Sequence, residues 1–238
     1  MATLTDFHSH ILPNIDDGSS SVEESVAMLR LMAEQGIKRV VATPHFMPNL
    51  DTPESFIEKR NESERLLRSA MEGIDGLPEL EMGAEVYFFR GMSESETLPM
   101  LSIGNTGAIL IEMPPAPWSE TIFRELDSIW TTRRLLPIIA HVERYITPFT
   151  AKKVLRRLAG MHVLVQSNAS FFTDKRSSSL ALRLLKKRMI HLIGSDCHGI
   201  ESRVPNMQGA ISVIEGRLGI EAIERIAFYE DSVLGAKL

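Results

Sequence analysis

The chain has 238 residues, 44% of them hydrophobic, with 26 Lys and Arg against 31 Asp and Glu and a net charge of −5. That length suits one α/β barrel with an ample core, read here as a single domain over 1–238, and the acidic balance leaves no electrostatic footprint for nucleic-acid binding. One cysteine excludes an internal disulfide, the N-terminal ten residues lack the basic and apolar regions of a leader, and the longest apolar runs are far too short for membrane insertion; a cytoplasmic location is expected.

Taken in chain order, TDFHSHI (5–11) reads as a first strand carrying His8 and His10. Asp17 lies in the loop after it. Val22, Val26, Leu29 and Ala33 then fall at helical spacing. Ser21 with Glu24 forms a capping box at the start of that helix, and Gly36 is its stop. RVVATP (39–44) is a second strand, ending at His45, and Thr52-Pro53 opens a second helix with proline at its first position. LEMGAEVYF (80–88) carries Glu85, and GAILIEMP (107–114) carries Glu112. A helix is expected over 119–133. LLPIIAHV (135–142) ends at His141, with Arg144 beyond it, and a helix over 150–159 follows. HVLVQSN (162–168) offers only Gln166 and Asn168. After a helical stretch over 174–188, HLIGSDC (191–197) leads into Asp196, His198 and Arg203. Seven such strand–helix units suggest a parallel barrel, although a doubly wound open sheet has the same alternation.

In a parallel barrel the functional groups stand at the C-terminal ends of the strands. Imidazoles and carboxylates stand at six of these ends. Residues i and i+2 on a strand share a face, so His8 and His10 can both point inward, as can Asp196 and His198. Each group also has a plainer reading. H-x-H in a strand often only satisfies core hydrogen bonds. Asp17, in I-D-D-G, taken alone reads more readily as a turn residue than as a ligand. Glu85 and Glu112 are harder to explain without a metal or an arginine, because an unpaired carboxylate in an apolar strand is costly. Arg144 and Arg203 read as surface cations or as forks for a phosphate. His162 and His191 open their strands at the opposite end and read as structural. The basic runs 152–157 and 183–188 read as solvated helix faces. Mixed nitrogen and oxygen donors without thiolate suit manganese, iron or zinc.

GSDCHGIESR (194–203) carries a second possibility, since Cys197 and Arg203 have the C-x₅-R spacing of cysteine-dependent phosphatases. If Asp196 and His198 face the axis, Cys197 faces the helices instead. The stretch also has only one glycine with which to turn amides toward a phosphate. Cys197 is therefore read as a small packed residue.

DFHSHILPNIDDG, ATPH, GAEVYF, LIEMP, HVERY and SDCHGIESRVPNM together resemble the polymerase-and-histidinol-phosphatase (PHP) superfamily. Within it they are most similar to the manganese-dependent protein-tyrosine phosphatases of bacterial capsule and exopolysaccharide synthesis. The likeness runs in order from residue 6 to about residue 207. It implies a distorted (β/α)₇ TIM-like barrel with three metal ions, Mn²⁺ ahead of Fe or Zn. His8, His10, Glu85 and Asp196 would hold one ion. Glu85 would bridge to a second, held also by Glu112 and His141, and Asp17, His45 and His198 would hold a third. Arg144 and Arg203 would grip the phosphate while a water activated by the metals attacks phosphorus. The implied partner is a phosphorylated, autophosphorylating bacterial tyrosine kinase with a tyrosine-rich tail. The alternative within the superfamily is a histidinol-phosphate or other small phosphomonoester phosphatase. A PHP-type nuclease, and a non-enzymatic adaptor with structural metals, are the more distant alternatives. Loop 89–101 has no assigned contact.

Overall fold

A computed structural model describes residues 4–147 and 149–235, in which short parallel strands alternate with helices. In order they are β1 (Thr5–Ser9), α1 (Val22–Glu34), β2 (Arg39–Ala42), β3 (His45–Phe46), α2 (Pro53–Met71), β4 (Glu79–Met82) and β5 (Glu85–Tyr87). There follow β6 (Ala108–Glu112), α3 (Glu120–Arg133), β7 (Leu136–Ile139), α4 (Ala151–Leu158), β8 (Leu164–Asn168), α5 (Ser170–Thr173), α6 (Ser178–Lys186), β9 (Leu192–Gly194), α7 (Met207–Leu218) and α8 (Ile220–Leu234). Short 3-10 turns replace a full helix between β5 and β6.

Local chemistry sets most boundaries. Ser21 caps α1, its side chain accepting from the Glu24 amide, and Gly36 stops the helix at φ 81°. The reciprocal half of the expected capping box is displaced by one residue: the Glu24 carboxylate accepts from the amide and hydroxyl of Ser20. Thr52 caps α2 with Pro53 in its first turn, as expected. The strand expected over 39–44 stops at Ala42, with a separate short strand beginning at His45, and the one expected over 80–88 is broken in two. Pro44 has no amide proton for the ladder, and so ends β2 before His45. Gly83, whose carbonyl accepts from buried Arg60 of α2, separates β4 from β5. Hydrogen bonds bridge both gaps: Gly83 N–H donates to Ala42 O and Glu85 N–H to Pro44 O. Helices α7 and α8 have no counterpart in the sequence reading.

The pairing is parallel throughout, in the order β1-β2-β4 and β3-β5-β6-β7-β8-β9. Beyond β9 the chain returns to β1: Asp196 N–H donates to His8 O at 2.8 Å and His10 N–H to Cys197 O at 2.9 Å. Alternation along the strands makes two apolar layers. Phe7, Val41, Leu110, Ile138 and Leu192 face one another inside, together with Val233 of α8. Val40, Ile109, Ile111, Ile139, Val165 and Ile193 face outward against the helices. Burying both faces is what a parallel sheet requires, and it explains the near-continuous apolar runs in the sequence.

Candidate metal centre

The polar end of β1 is set by a bulge. Asp6 pairs with Val40 and Ser9 with Ala42, so three steps along β1 match two along β2. The irregularity lets Phe7 pack in the inner layer while His8 and His10 still aim at the mouth. His45 and Glu85 are register partners at the starts of β3 and β5, which brings an imidazole beside a carboxylate. Glu112 ends β6. His141 and Asp196 lie just past β7 and β9 with φ of 30° and 54°, conformations that side-chain-bearing residues rarely adopt and that cluster at functional sites.

These side chains converge on Glu85, which is 1% exposed. Its Oε2 lies 3.1 Å from His8 Nε2, 3.3 Å from His10 Nε2 and 3.0 Å from His45 Nδ1. Its Oε1 lies 2.7 Å from His141 Nε2. Asp196 Oδ1 lies 3.6 Å and 3.5 Å from the same His8 and His10 nitrogens, which are 3.2 Å from each other. Asp17 Oδ1 sits between His45 Nε2 at 3.5 Å and His198 Nε2 at 3.4 Å. Three sets of donor atoms therefore each close to within 4.8 Å: His8, His10, Glu85 and Asp196; His10, Asp17, His45 and His198; and His45, Glu85 and Glu112. His141 adjoins the last set, 3.7 Å from Glu112 Oε1.

The donor set fits divalent cations. Glu85 Oε2 and His198 Nε2 are buried without a hydrogen-bond partner, an expensive arrangement unless a cation fills the role. Electrostatics agree. Burial alone would raise the Glu85 pKa, but charge on His8 and the neighbouring imidazoles of His10, His141 and His45 hold it well below its usual value. Burial likewise opposes ionisation of Asp196, and His8 and His10 overcome it. Burial would lower His10, but its hydrogen bond to Asp16 and the nearby carboxylates of Asp196 and Glu85 raise it. His141 is lowered by burial, and His198 falls to about 4 through burial and the charges of His10 and Arg203. Neutral imidazole is the form that binds metals. The centre keeps its carboxylates ionised and demands positive charge among them.

Arg144 and Arg203 stand at the rim, half exposed. Arg144 donates to Glu112 Oε1 and to Asp196 Oδ2, and Arg203 donates to Asp196 Oδ1 at 2.8 Å. The structure thus brings together all nine sequence-derived ligand candidates and both arginines. Cys197 is fully buried in the outer, helix-facing apolar layer, and burial pushes its thiol well above its usual pKa. A buried, protonated thiol is a poor nucleophile. His191 accepts from the Val165 amide and His162 stacks on Trp130, both structural as expected.

Three contributors escaped the sequence reading. Asp16, not Asp17, is the buried carboxylate of I-D-D-G: its Oδ2 accepts from His10 Nδ1 at 2.7 Å and from the His45 amide at 2.9 Å. These bonds hold its pKa down at about 2 against burial. The doubled aspartate was the only available signal. Tyr145 Oη lies 3.2 Å from His141 Nδ1 and accepts from the Met113 amide. The third is the amide pair Gln166 and Asn168 on β8.

Residues 4–234 match the model of a family described as capsular polysaccharide synthesis, CpsB/CapC. Among curated relatives, the tyrosine-protein phosphatase CpsB of Streptococcus pneumoniae is 28% identical over 236 residues, covering 94% of both chains. The tyrosine-protein phosphatase YwqE of Bacillus subtilis (strain 168) is 28% identical over 228 residues, 92% of this chain and 86% of that one. In solved structures, a chain from the work on YwqE and CpsB, there called unique metal-dependent tyrosine phosphatases, superposes with a TM-score of 0.85 at 23% identity. It covers 99% of this chain and 96% of that one. A D-hydantoinase superposes with a TM-score of 0.55 at 10% identity, over 90% of this chain and 65% of that one, a likeness of fold alone.

Proposed function

The chain belongs to the CpsB/CapC capsular polysaccharide synthesis family, and from that membership we propose that it is a metal-dependent protein-tyrosine phosphatase. Its substrate in this reading is phosphotyrosine on an autophosphorylating bacterial tyrosine kinase, in the tyrosine-rich tail, and the reaction regulates capsule or exopolysaccharide synthesis in the cytoplasm. Counting β2 with β3 and β4 with β5 as single kinked staves supports a distorted (β/α)₇ barrel forming one domain over 1–238. The observation that carries the reading is the buried Glu85 carboxylate ringed by four imidazoles, with two arginines at the rim.

His8, His10, Glu85 and Asp196 would hold one ion; Glu85, Glu112 and His141, with His45 beside them, a second; Asp17, His45 and His198, with His10 beside them, a third. Manganese is the favoured ion for this nitrogen and oxygen set. When bound, such ions lower the pKa of a coordinated water toward ~7 and neutralise phosphoryl charge. The rest falls to the chain. Arg144, which also donates to Glu112, and Arg203, 3.9 Å from Asp17, stand at the rim of the centre, and their planar forks suit two equatorial phosphate oxygens. Asp196, now accepting from both, is the pivot that aims them. Asp16 fixes the His10 ring so that Nε2 faces Glu85 and Asp196. Neutral His198 offers no proton near neutral pH. A tyrosine leaving group, with a pKa of about 10, departs with less protonation than an alkoxide needs.

Hydrolysis of p-nitrophenyl phosphate and of a phosphotyrosine peptide tests this reading in two arms. Activity should fall with chelator, return with Mn²⁺, and survive Cys197→Ser. Activity indifferent to chelator but abolished by Cys197→Ser would overturn it, as would activity confined to histidinol phosphate.

A further inference from the structure

β8 is the one stave that supplies no candidate ligand, yet two of its buried side chains face the centre. Gln166 is fully buried and Asn168 is 8% exposed. At i and i+2 they share a face. Their orientations follow from groups that can act in only one way. The backbone N–H of His141 can only donate, and it does so to Gln166 Oε1 at 2.6 Å. That oxygen is therefore the acceptor end of the amide, and His8 Nδ1, 3.4 Å away, faces it as a donor. The amide nitrogen of Gln166 then donates to Asn168 Oδ1 at 3.1 Å. The nitrogen of Asn168 donates in turn to Asp196 Oδ2 at 2.8 Å. The carboxylate can only accept, so both ends of the chain agree on one direction. Glu143 pins the backbone at the middle, its Oε1 accepting from the Asn168 main-chain N–H at 3.0 Å.

We propose that Gln166 and Asn168 are positioning residues of the metal centre, a directional amide chain that holds His8, the His141 backbone and Asp196 in ligating geometry. The inference rests on the reading of these groups as ligands. The chain does three things. It keeps a proton on His8 Nδ1, so the nitrogen left bare is Nε2, the one that faces Glu85 and Asp196. It ties down His141 and Asp196, the two ligand candidates with left-handed backbones, which need surroundings that over-determine them. It also occupies one oxygen of Asp196 on the side away from His8 and His10, leaving Oδ1 toward them. The stave without a ligand is in this account the one that aligns ligands on three others.

The experiment is calorimetric titration of the full chain with Mn²⁺, for wild type, Asn168→Ala, Gln166→Met and the double variant. Asp196→Ala identifies the binding phase that depends on Asp196. If wild type binds no Mn²⁺, the metal-centre reading itself fails. If wild type binds, the proposal expects that phase to weaken by 10- to 100-fold in each single variant. It also expects the double variant to lose no more than the worse single one, because a chain broken at either link is broken. On p-nitrophenyl phosphate at saturating Mn²⁺, kcat should fall with KM nearly unchanged. Gln166→Met keeps side-chain volume and Asn168→Ala only removes side-chain atoms, so at least one variant should fold, as judged by a cooperative melt. Mn²⁺ affinity within twofold of wild type in a folded variant, or losses that simply add in the double variant, would overturn the proposal.

Discussion

Gly194→Ala is expected to damage the centre without replacing a ligand, by pressing on the strand that carries His8. Gly194 ends β9 with its Cα packed against His8 of β1. A Cβ placed there would lie 2.5 Å from His8 Cβ and 2.7 Å from His8 N. Ordinary contact for such an atom begins at 3.4 Å, so the two strands must separate by about 1 Å, and neither contact is the soft end of a flexible side chain. Overpacking of this kind costs about 1–3 kcal/mol. In a domain of this size each kcal/mol lowers Tm by roughly 2–4 °C, which gives a loss of about 2–12 °C. The functional loss should be larger in proportion. The displaced strand carries His8 and His10, and a ~1 Å misplacement of reacting groups costs on the order of 10²-fold in rate. The assay is a thermal melt beside kcat on p-nitrophenyl phosphate with Mn²⁺. A variant with wild-type Tm and kcat within twofold would refute the claim that the β1–β9 approach positions the centre.

Further expectations can be checked one by one. Asp16→Asn should cut Mn²⁺ affinity and kcat by 10- to 100-fold, through loss of the charge that orients His10; activity near wild type on the phosphopeptide would contradict the role assigned to Asp16. Arg144→Lys and Arg203→Lys keep charge but lose the fork. They should lower kcat/KM by about 10- to 100-fold, corresponding to ~1.5–3 kcal/mol for a charged hydrogen bond, with Mn²⁺ stoichiometry unchanged by calorimetry. Glu230 of α8 accepts from the Thr5 amide, and burial pushes its pKa up to about 8. Its carboxyl is neutral in the fold but ionised in the unfolded chain above 4.5, so stability falls as pH rises from there toward 8. Glu230→Gln removes that slope, and its advantage should grow by ~1.4 kcal/mol per pH unit to about 3 kcal/mol at pH 7. Urea unfolding at pH 5 and pH 7 measures it; an equal gain at both would refute the linkage.

Much of the site was readable because its chemistry sits in short motifs. His8 and His10 are two residues apart on one strand, and Glu85 and Glu112 stand out as carboxylates in apolar runs. Asp196 and His198 flank Cys197 so that the thiol takes the outer face. Capping by Ser21 and Thr52 and the stop at Gly36 are equally local. Where the reading fell short, the deciding partner was distant in sequence. Asp16 and Asp17 are indistinguishable in I-D-D-G until the His45 amide, arriving from another stave, donates to the first of them. Gln166 and Asn168 looked like an empty strand end, because their meaning depends on His141 and Asp196. α7 and α8 follow no further strand, so the alternation gave no reason to expect them.

Residue chemistry and periodicity thus determined the strand–helix alternation, the inventory of ligand candidates and the outward aim of Cys197, since each depends only on neighbours within a few residues. Which carboxylate meets which imidazole depended on register: the bulge in β1, the pairing of His45 with Glu85, and the approach of β9 to β1 past a glycine. Those are consequences of bringing the staves of a parallel sheet together, a long-range condition that no stretch of the chain carries by itself.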